Sequence, residues 1–304
     1  MKVVALAGGT GSAKVLRGLS TLGIDLTAVI NVGDNVWMHG LYICPDIDTA
    51  IYTLAGVANR TLGWGLEGDT FRTLEQLGRI GESRWFALGD LDIATHLVRT
   101  RMLREGKNLT AVTEKLRKAF GVAHQILPLT NDAVETHVVT PSGSVHLQEF
   151  WVRERGRPAV KSVTYRGASK SSCTEEVAKA VRQSDRIVVC PANPVSSIGP
   201  MLAVPGFTRM LSGAKARVTA LSPMVGKVPF SGPAGKLMKA VGMRPDSVGV
   251  AQAYYGFLDT LIIDRSDKES ADEIESLGIR CVAADTRMAN RSDEVRLSKE
   301  LLDV

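Results

Sequence analysis

The stretch CPDIDTAIY sets Asp46 and Asp48 two residues apart, just before helical spacing begins. In an extended segment an i, i+2 pair sends both carboxylates to one side, which suits a hard cation. The alternative is local: Asp48 caps a helix that starts at Thr49. Upstream, KVVALAGGTGSAKVLRGL runs from an apolar segment through Gly8, Gly9, Thr10 and Gly11 into helical spacing. Glycines there let the backbone approach an anion, the first helical turn presents its N–H groups, and Lys14 adds positive charge. The loop lacks the G-x-x-x-x-G-K-[ST] spacing, and Lys14 stands where G-x-G-x-x-G needs its third glycine. A plain strand-to-helix turn with Thr10 and Ser12 as caps therefore stays open. A carboxylate about 4 Å from a phosphate charge is repelled by roughly 4 kcal/mol at an effective dielectric near 20. A phosphate and these aspartates could hardly share a pocket without a cation.

Four more clusters of glycine, proline and small polar residues follow predicted strand ends: GWGLEGDTF (63–71), LGDLDIATH (88–96), PANPVSSIGP (191–200) and SPMVGKVPFSGPAGKLM (222–238). Such composition suits ligand loops better than core. The third supplies Asn193, Ser196, Ser197 and an open backbone at Gly199. The fourth places Ser231, Gly232, Gly235 and Lys236 at a helix start, a second anion cradle, though each also reads as a turn alone. Asp92 and His96 share a helical face, and with no further ligand at metal spacing they read as a surface pair or a satisfied buried histidine. Trp64, Trp85 and Trp151 either line a flat pocket or pack. His137 and His146 alternate with apolar residues and are expected on a solvent face.

The elements that would carry these residues alternate. Strand signals at Val3–Ala7 and Leu26–Asn31 are interleaved with helical periodicity from Ser12, Thr49, Thr70, Ile93 and Thr110, the rhythm of βα units around a parallel sheet. VETHVVT and SVHLQEF, joined by PSG, predict a β-rich insertion at about 134–166. Then DRIVVC, ARVTAL, DTLIID and IRCVA resume as buried strands. The expectation is one α/β domain over 1–304: a Rossmann-like, mostly parallel sheet flanked by helices, with a β-rich insertion.

Composition narrows the class. With 304 residues and 44% hydrophobic content, the chain can bury a substantial core. No apolar run approaches the roughly 20 residues of a membrane span, and no leader pattern opens the chain, so a cytoplasmic protein without membrane contact is expected. The net charge of +5 comes without a basic run, which disfavours a nucleic-acid tail and is compatible with a small anionic ligand. The four cysteines are far apart and read as reduced core thiols.

Taken in order, GGTGSAK, PDIDT, GWGLEGDTF, LGDLDIATH, FWVRERG, NPVSSIGP and SGPAGKLM resemble the 2-phospho-L-lactate transferase family of deazaflavin coenzyme biosynthesis. The resemblance implies transfer of a phospholactyl or phosphoenolpyruvyl group from a guanosine diphosphate conjugate to the ribityl hydroxyl of a 5-deazariboflavin. GMP leaves and Mg2+ is required. It also implies small-molecule partners, and a homodimer is admitted. Carried over by residue, Asp46 and Asp48 are the catalytic and metal-associated carboxylates. Asp48, Ala87, Leu88, Gly89 and Asp90 fall on the acceptor side. Gly8, Gly9, Thr10, Gly11, Lys14, Asn193, Ser196, Ser197, Gly199, Ser231, Gly232, Gly235 and Lys236 fall on the donor side. Ala87 and Leu91 replace a lysine and an arginine found in relatives, removing two acceptor-side cations. Two other functions remain: a nucleotide-sugar-binding regulator from a related glycine-loop group, and, more weakly, an NAD-dependent oxidoreductase.

Overall fold

A computed structural model of the chain describes residues 1–226 and 232–304 with the backbone of Val228–Pro229; Lys227, Phe230 and Ser231 lie outside the described residues. Strand β1 (Lys2–Ala7) leads through α1 (Gly9–Leu19) to β2 (Asp25–Ile30). A short hairpin, β3 (Val36–Met38) and β4 (Leu41–Ile43), precedes α2 (Pro45–Ala55), α3 (Arg72–Arg79), α4 (Asp90–Arg104) and α5 (Leu109–Ala119), and the chain then enters β5 (Gln125–Pro128). The insertion is an antiparallel sheet of β6 (Glu135–Thr140), β7 (Gly143–His146) and β8 (Ser162–Arg166), with β6 in the middle. Next come α6 (Glu175–Gln183), β9 (Arg186–Val189), α7 (Gly199–Leu202), α8 (Phe207–Ser212) and β10 (Arg217–Leu221). The chain closes with β11 (Met224–Val225), β12 (Val228–Pro229), α9 (Ala234–Ala240), α10 (Ser247–Ala253), β13 (Thr260–Asp264), α11 (Ala271–Ser276), β14 (Arg280–Ala284) and α12 (Arg291–Asp303).

Seven strands form one sheet in the order β14-β13-β10-β9-β1-β2-β5, and every neighbouring pair is parallel. The apolar runs become strands because helices cover both faces. In β1, Val4 and Leu6 pack into one core while Val3, Ala5 and Ala7 pack into the other, as a two-residue side-chain period requires. Fully burying a valine or leucine contributes about 1.5–3 kcal/mol, so this strand anchors both layers. Among the described residues no helix is long and apolar enough to cross a membrane.

Several local expectations shift. Helix α1 begins at Gly9, three residues before Ser12, and α2 begins at Pro45, not Thr49. Pro45 sits in the first turn, where its missing N–H costs nothing, and Gly56 closes the helix at φ 76°. The strand predicted through SVHLQEF stops at His146, and a π-helical turn at Glu149–Arg153 follows. His137 and His146 do pair across β6 and β7, their rings edge to face at 5.6 Å, but His137 is buried rather than solvent-facing. Thr136, His137 and Val138 are all buried because β6 is the middle strand and both its faces are covered. Cys44 and Cys190 are buried free thiols whose burial pushes them up to about 12, while Cys173 and Cys281 are half-buried. None of the four is a thiolate at neutral pH.

Candidate active site

The strand order marks where a ligand would be taken. From β1 the chain moves outward to β2 and β5, and from β9 it moves the other way, so the strand order reverses between these two neighbours. The crevice beyond their carboxyl ends is the switch point where open α/β sheets take ligands. The loop of Gly8–Gly11 leaves β1 there, and the loop of residues 191–197 leaves β9. They touch closely: a Cβ on Gly11 would strike the Pro191 carbonyl oxygen, and one on Gly8 would lie 2.9 Å from Ser197 Cβ and 3.0 Å from Asp46 Oδ2. Glycine is required by this backbone packing, independently of any anion. A cavity of about 510 Å³ opens over the crevice. The glycine loop with Lys14 forms one wall, Asp46, Asp48, Thr49 and Tyr52 of α2 a second, Asp92 and His96 of α4 a third, and Gln148 and Trp151 of the insertion a fourth.

Asp46 and Asp48 both face the cavity but do not form a pair. They lie in the first turn of α2, where residues i and i+2 are about 200° apart around the axis, so the parallel carboxylates of an extended segment are excluded. Asp46 turns toward β1 and β2. Its Oδ1 accepts the Gly9 N–H at 2.7 Å and its Oδ2 accepts from Asn31 Nδ2 at 2.9 Å. The same Asn31 amide donates to Asp34 Oδ1 at 3.1 Å, and its oxygen takes the Gly33 N–H at 2.8 Å. Gly8 N–H goes to Ser12 Oγ at 3.0 Å. Two of the loop amides expected to hold an anion are thus already occupied, and Thr10 and Gly11 present the remaining ones.

Burial pushes the Asp46 carboxyl up to about 6, against the pull of Asn31 and the Gly9 amide. Asp34 is raised as well, by burial and then by the charge of Asp46. Folded Asp46 therefore holds a proton that the unfolded chain releases between about pH 4 and pH 6. Stability from this group is present below that window and is lost as pH rises through it. In metal-free protein, the wild type minus Asp46→Asn difference in unfolding free energy should fall by about 1–3 kcal/mol across that window. Urea titrations at a series of pH values measure it; a flat difference would mean that Asp46 titrates as an ordinary exposed carboxylate.

Asp48 turns toward α4 and meets ligands the sequence reading left apart. Asp92, His96 and Arg99 recur at i, i+4 and i+7 on the buried face of that helix. Arg99 Nη2 donates to Asp48 Oδ1, and its Nη1 donates to His96 Nδ1 at 3.0 Å. The Tyr52 hydroxyl donates to Asp92 Oδ1 at 2.6 Å. Among the described residues, Asp48 Oδ2 and His96 Nε2 are buried without a hydrogen-bond partner. Burial raises Asp48, and the Arg99 guanidinium is the main influence opposing it. Burial also pushes Asp92 up, but the His96 ring, the Tyr52 hydroxyl and Arg99 together bring it below its ordinary range.

Asp48, Asp92 and His96 offer ligand atoms within 4.8 Å of one another. Arginine can only donate, so the His96 Nδ1 lone pair is spent on Arg99 and the ring proton sits on Nε2, 3.5 Å from Asp92 Oδ2. Neither ring nitrogen then has a lone pair for a cation. The Asp34 and Asp46 carboxylates fit a hard cation better: both are all-oxygen donors, both are penalised by burial as bare anions, and each retains free lone pairs.

The other anticipated residues divide. Thr10, Gly11, Asn193, Ser196, Ser197 and Gly232 line the cavity. Asn193 Oδ1 caps the Val195 and Ser196 amides at 2.9 and 3.2 Å, and its Nδ2 has no partner among the described residues. Lys14 also lines it, with Nζ on the Met288 carbonyl at 2.7 Å. Gly199 instead packs against the Tyr165 hydroxyl, outside the cavity lining. Gly235 and Lys236 are outside it too: Lys236 Nζ ties α9 to the insertion through the Gly156 and Arg157 carbonyls, at 2.7 and 3.0 Å. Ser231 lies outside the described residues. On the acceptor side, Ala87 and its neighbour Phe86 reach the cavity, whereas Leu88, Gly89 and Asp90 stand behind it. Asp90 caps α3, taking the Arg72 and Thr73 amides at 3.1 and 2.9 Å, and Asp69 reciprocally caps α4 through the Leu91 and Asp92 amides at 2.8 and 3.1 Å. Asn31, Asp34, Tyr52 and Arg99 were not anticipated. The signal for Arg99 was its position three residues after His96, on the face already marked by Asp92.

A parallel sheet with its cavity at the β1/β9 switch point defines an α/β protein of a known architecture. A solved UPF0052-family protein from Bacillus halodurans superposes on it with TM-score 0.65 at 18% identity, covering 99% of each chain. The family model described as 2-phospho-L-lactate transferase CofD matches residues 3–301. A 2-phospho-L-lactate transferase of Methanosarcina mazei is 39% identical, covering 99% of this chain and 98% of the relative. A phosphoenolpyruvate transferase of Streptomyces griseus subsp. griseus is 39% identical, covering 100% and 98%. The chain belongs to the CofD family of 2-phospho-L-lactate transferases.

Proposed function

We propose that this protein transfers a phospholactyl or phosphoenolpyruvyl group from a guanosine diphosphate conjugate to the ribityl hydroxyl of a 5-deazariboflavin, with release of GMP. The observation that carries the reading is the cavity itself. It joins a glycine loop at a helix N-terminus to a buried carboxylate with one unpartnered oxygen, as attack of an alcohol on a diphosphate requires. The Thr10 and Gly11 amides, Asn193, Ser196 and Ser197 bind the diphosphate oxygens. Asp48 Oδ2 accepts the hydrogen bond of the attacking hydroxyl and takes its proton as the oxygen–phosphorus bond forms and the bond to GMP breaks. Tyr52, Trp64, Phe86 and Trp151 supply the flat apolar wall for the ring. Asp46 and Asp34 are the residues that would hold Mg2+, which when bound offsets the diphosphate charge.

The protein incubated with acceptor, either GDP conjugate and Mg2+ should yield GMP and an acceptor heavier by the transferred group, detected by mass analysis. The phosphoenolpyruvyl product is the lighter by two hydrogens. Absence of product with both donors overturns the reading. EDTA should abolish turnover and Mg2+ restore it, whereas full turnover in chelated protein would remove the ion from the reaction.

A further inference from the structure

Among the described residues, Arg99 is 0% exposed and heads the wholly buried side chains by volume, yet it reaches the cavity through Asp48 and His96 without lining it. A guanidinium out of water is costly unless its partners are fixed in number and direction. Here Nη2 donates to Asp48 Oδ1 and Nη1 is shared between His96 Nδ1 at 3.0 Å and the Tyr42 carbonyl at 3.4 Å, while Nε has no partner among the described residues. The Tyr42 carbonyl belongs to β4, His96 to α4 and Asp48 to α2, so one planar group ties three separate elements to the same point.

The consequence falls on Asp48. With Oδ1 tethered, rotation of the carboxylate is restrained, and Oδ2, buried and without a partner among the described residues, is the oxygen of this cavity-lining residue left to accept a hydroxyl. His96 closes the other side, its Nδ1 3.7 Å from Oδ2 and its lone pair already used by Arg99, so the ring limits Oδ2 without hydrogen-bonding it. Tyr52 and Asp92 hold the ring from behind, with Asp92 Oδ2 3.5 Å from Nε2 and Oδ1 on the Tyr52 hydroxyl at 2.6 Å. We propose that Arg99, backed by His96, is a positioning residue for the transfer reaction: it aims Asp48 Oδ2 at the acceptor hydroxyl. This rests on the transfer reaction proposed above.

Lysine preserves the charge but not the fork that reaches three acceptors at once. Arg99→Lys should therefore lose at least about 30-fold in kcat while KM for the GDP conjugate stays within about threefold, because the lost geometry acts on the attacking group. Arg99→Ala leaves a space beside Asp48, and millimolar guanidinium should restore at least about tenfold of its lost kcat. A residue that merely holds the fold would give a kcat that tracks the folded fraction and no response to guanidinium. Wild-type kcat in Arg99→Lys overturns the proposal, as does a loss confined to donor KM. If Arg99→Ala does not fold, Arg99→Lys decides alone. Wild-type protein that makes no product brings down the transfer reaction itself, an outcome distinct from active wild type with an indifferent Arg99.

Discussion

Asp48→Asn is expected to lower kcat by about 100-fold or more, equivalent to about 2.7 kcal/mol of transition-state stabilisation, and also to weaken the fold. The second effect follows from the first structural fact about Arg99: its guanidinium is buried and loses its anionic partner. Breaking one side of a buried ion pair costs about 3–5 kcal/mol, whereas replacing both sides by apolar groups is often neutral. Asp48→Leu combined with Arg99→Met should therefore recover most of the stability and none of the turnover. Urea midpoints and single-turnover rates on the same preparations separate the two roles. Near-wild-type kcat in Asp48→Asn would remove the carboxylate from proton transfer.

Gly11→Val is expected to cost at least about tenfold in GDP affinity, or about 1.4 kcal/mol, with acceptor affinity changed by less than about threefold. The cause is not bulk in the anion's path. A Cβ at Gly11 points at the Pro191 carbonyl oxygen, so it pushes the β1 loop off the β9 loop and parts the crevice that carries Thr10, Ser196 and Ser197. Overpacking of this kind costs about 1–3 kcal/mol, and the variant should still fold. Calorimetric titration with GDP and, separately, with the deazariboflavin checks the order. Lost acceptor binding beside intact GDP binding would assign the loop to the other substrate.

The parallel strands were legible because burial on both faces leaves continuous apolar runs, as in Val3–Ala7 and in Ile187–Val189. The glycine loop was legible for the same reason, being the break after the first such run. The carboxylates of PDIDT were found, but their geometry was misjudged. Pro45 followed by acids is itself a helix opening, and reading it so would have separated Asp46 from Asp48. What the sequence concealed is long-range. Arg99 meets Asp48 across 51 residues, and Gln148 reaches Asp34 across 114, at 3.4 Å, so no local pattern announces either contact. The histidines of β6 and β7 misled because alternation reports which residues share a face, not whether that face is covered.

The exchanged caps on α3 and α4 have a dynamic consequence. Asp69 ends the segment that carries Trp64, and the amides it holds belong to the helix bearing Asp92, His96 and Arg99. Asp90 returns the bond, taking the Thr70 hydroxyl at 2.5 Å and the first amides of α3. Fraying of either helix start breaks cap bonds of the other, so the first-turn amides of α3 and α4 are expected to exchange at similar rates, which hydrogen exchange measures. Opening of the segment that carries Trp64 is thereby expected to be linked to the start of the helix that carries Asp92, His96 and Arg99.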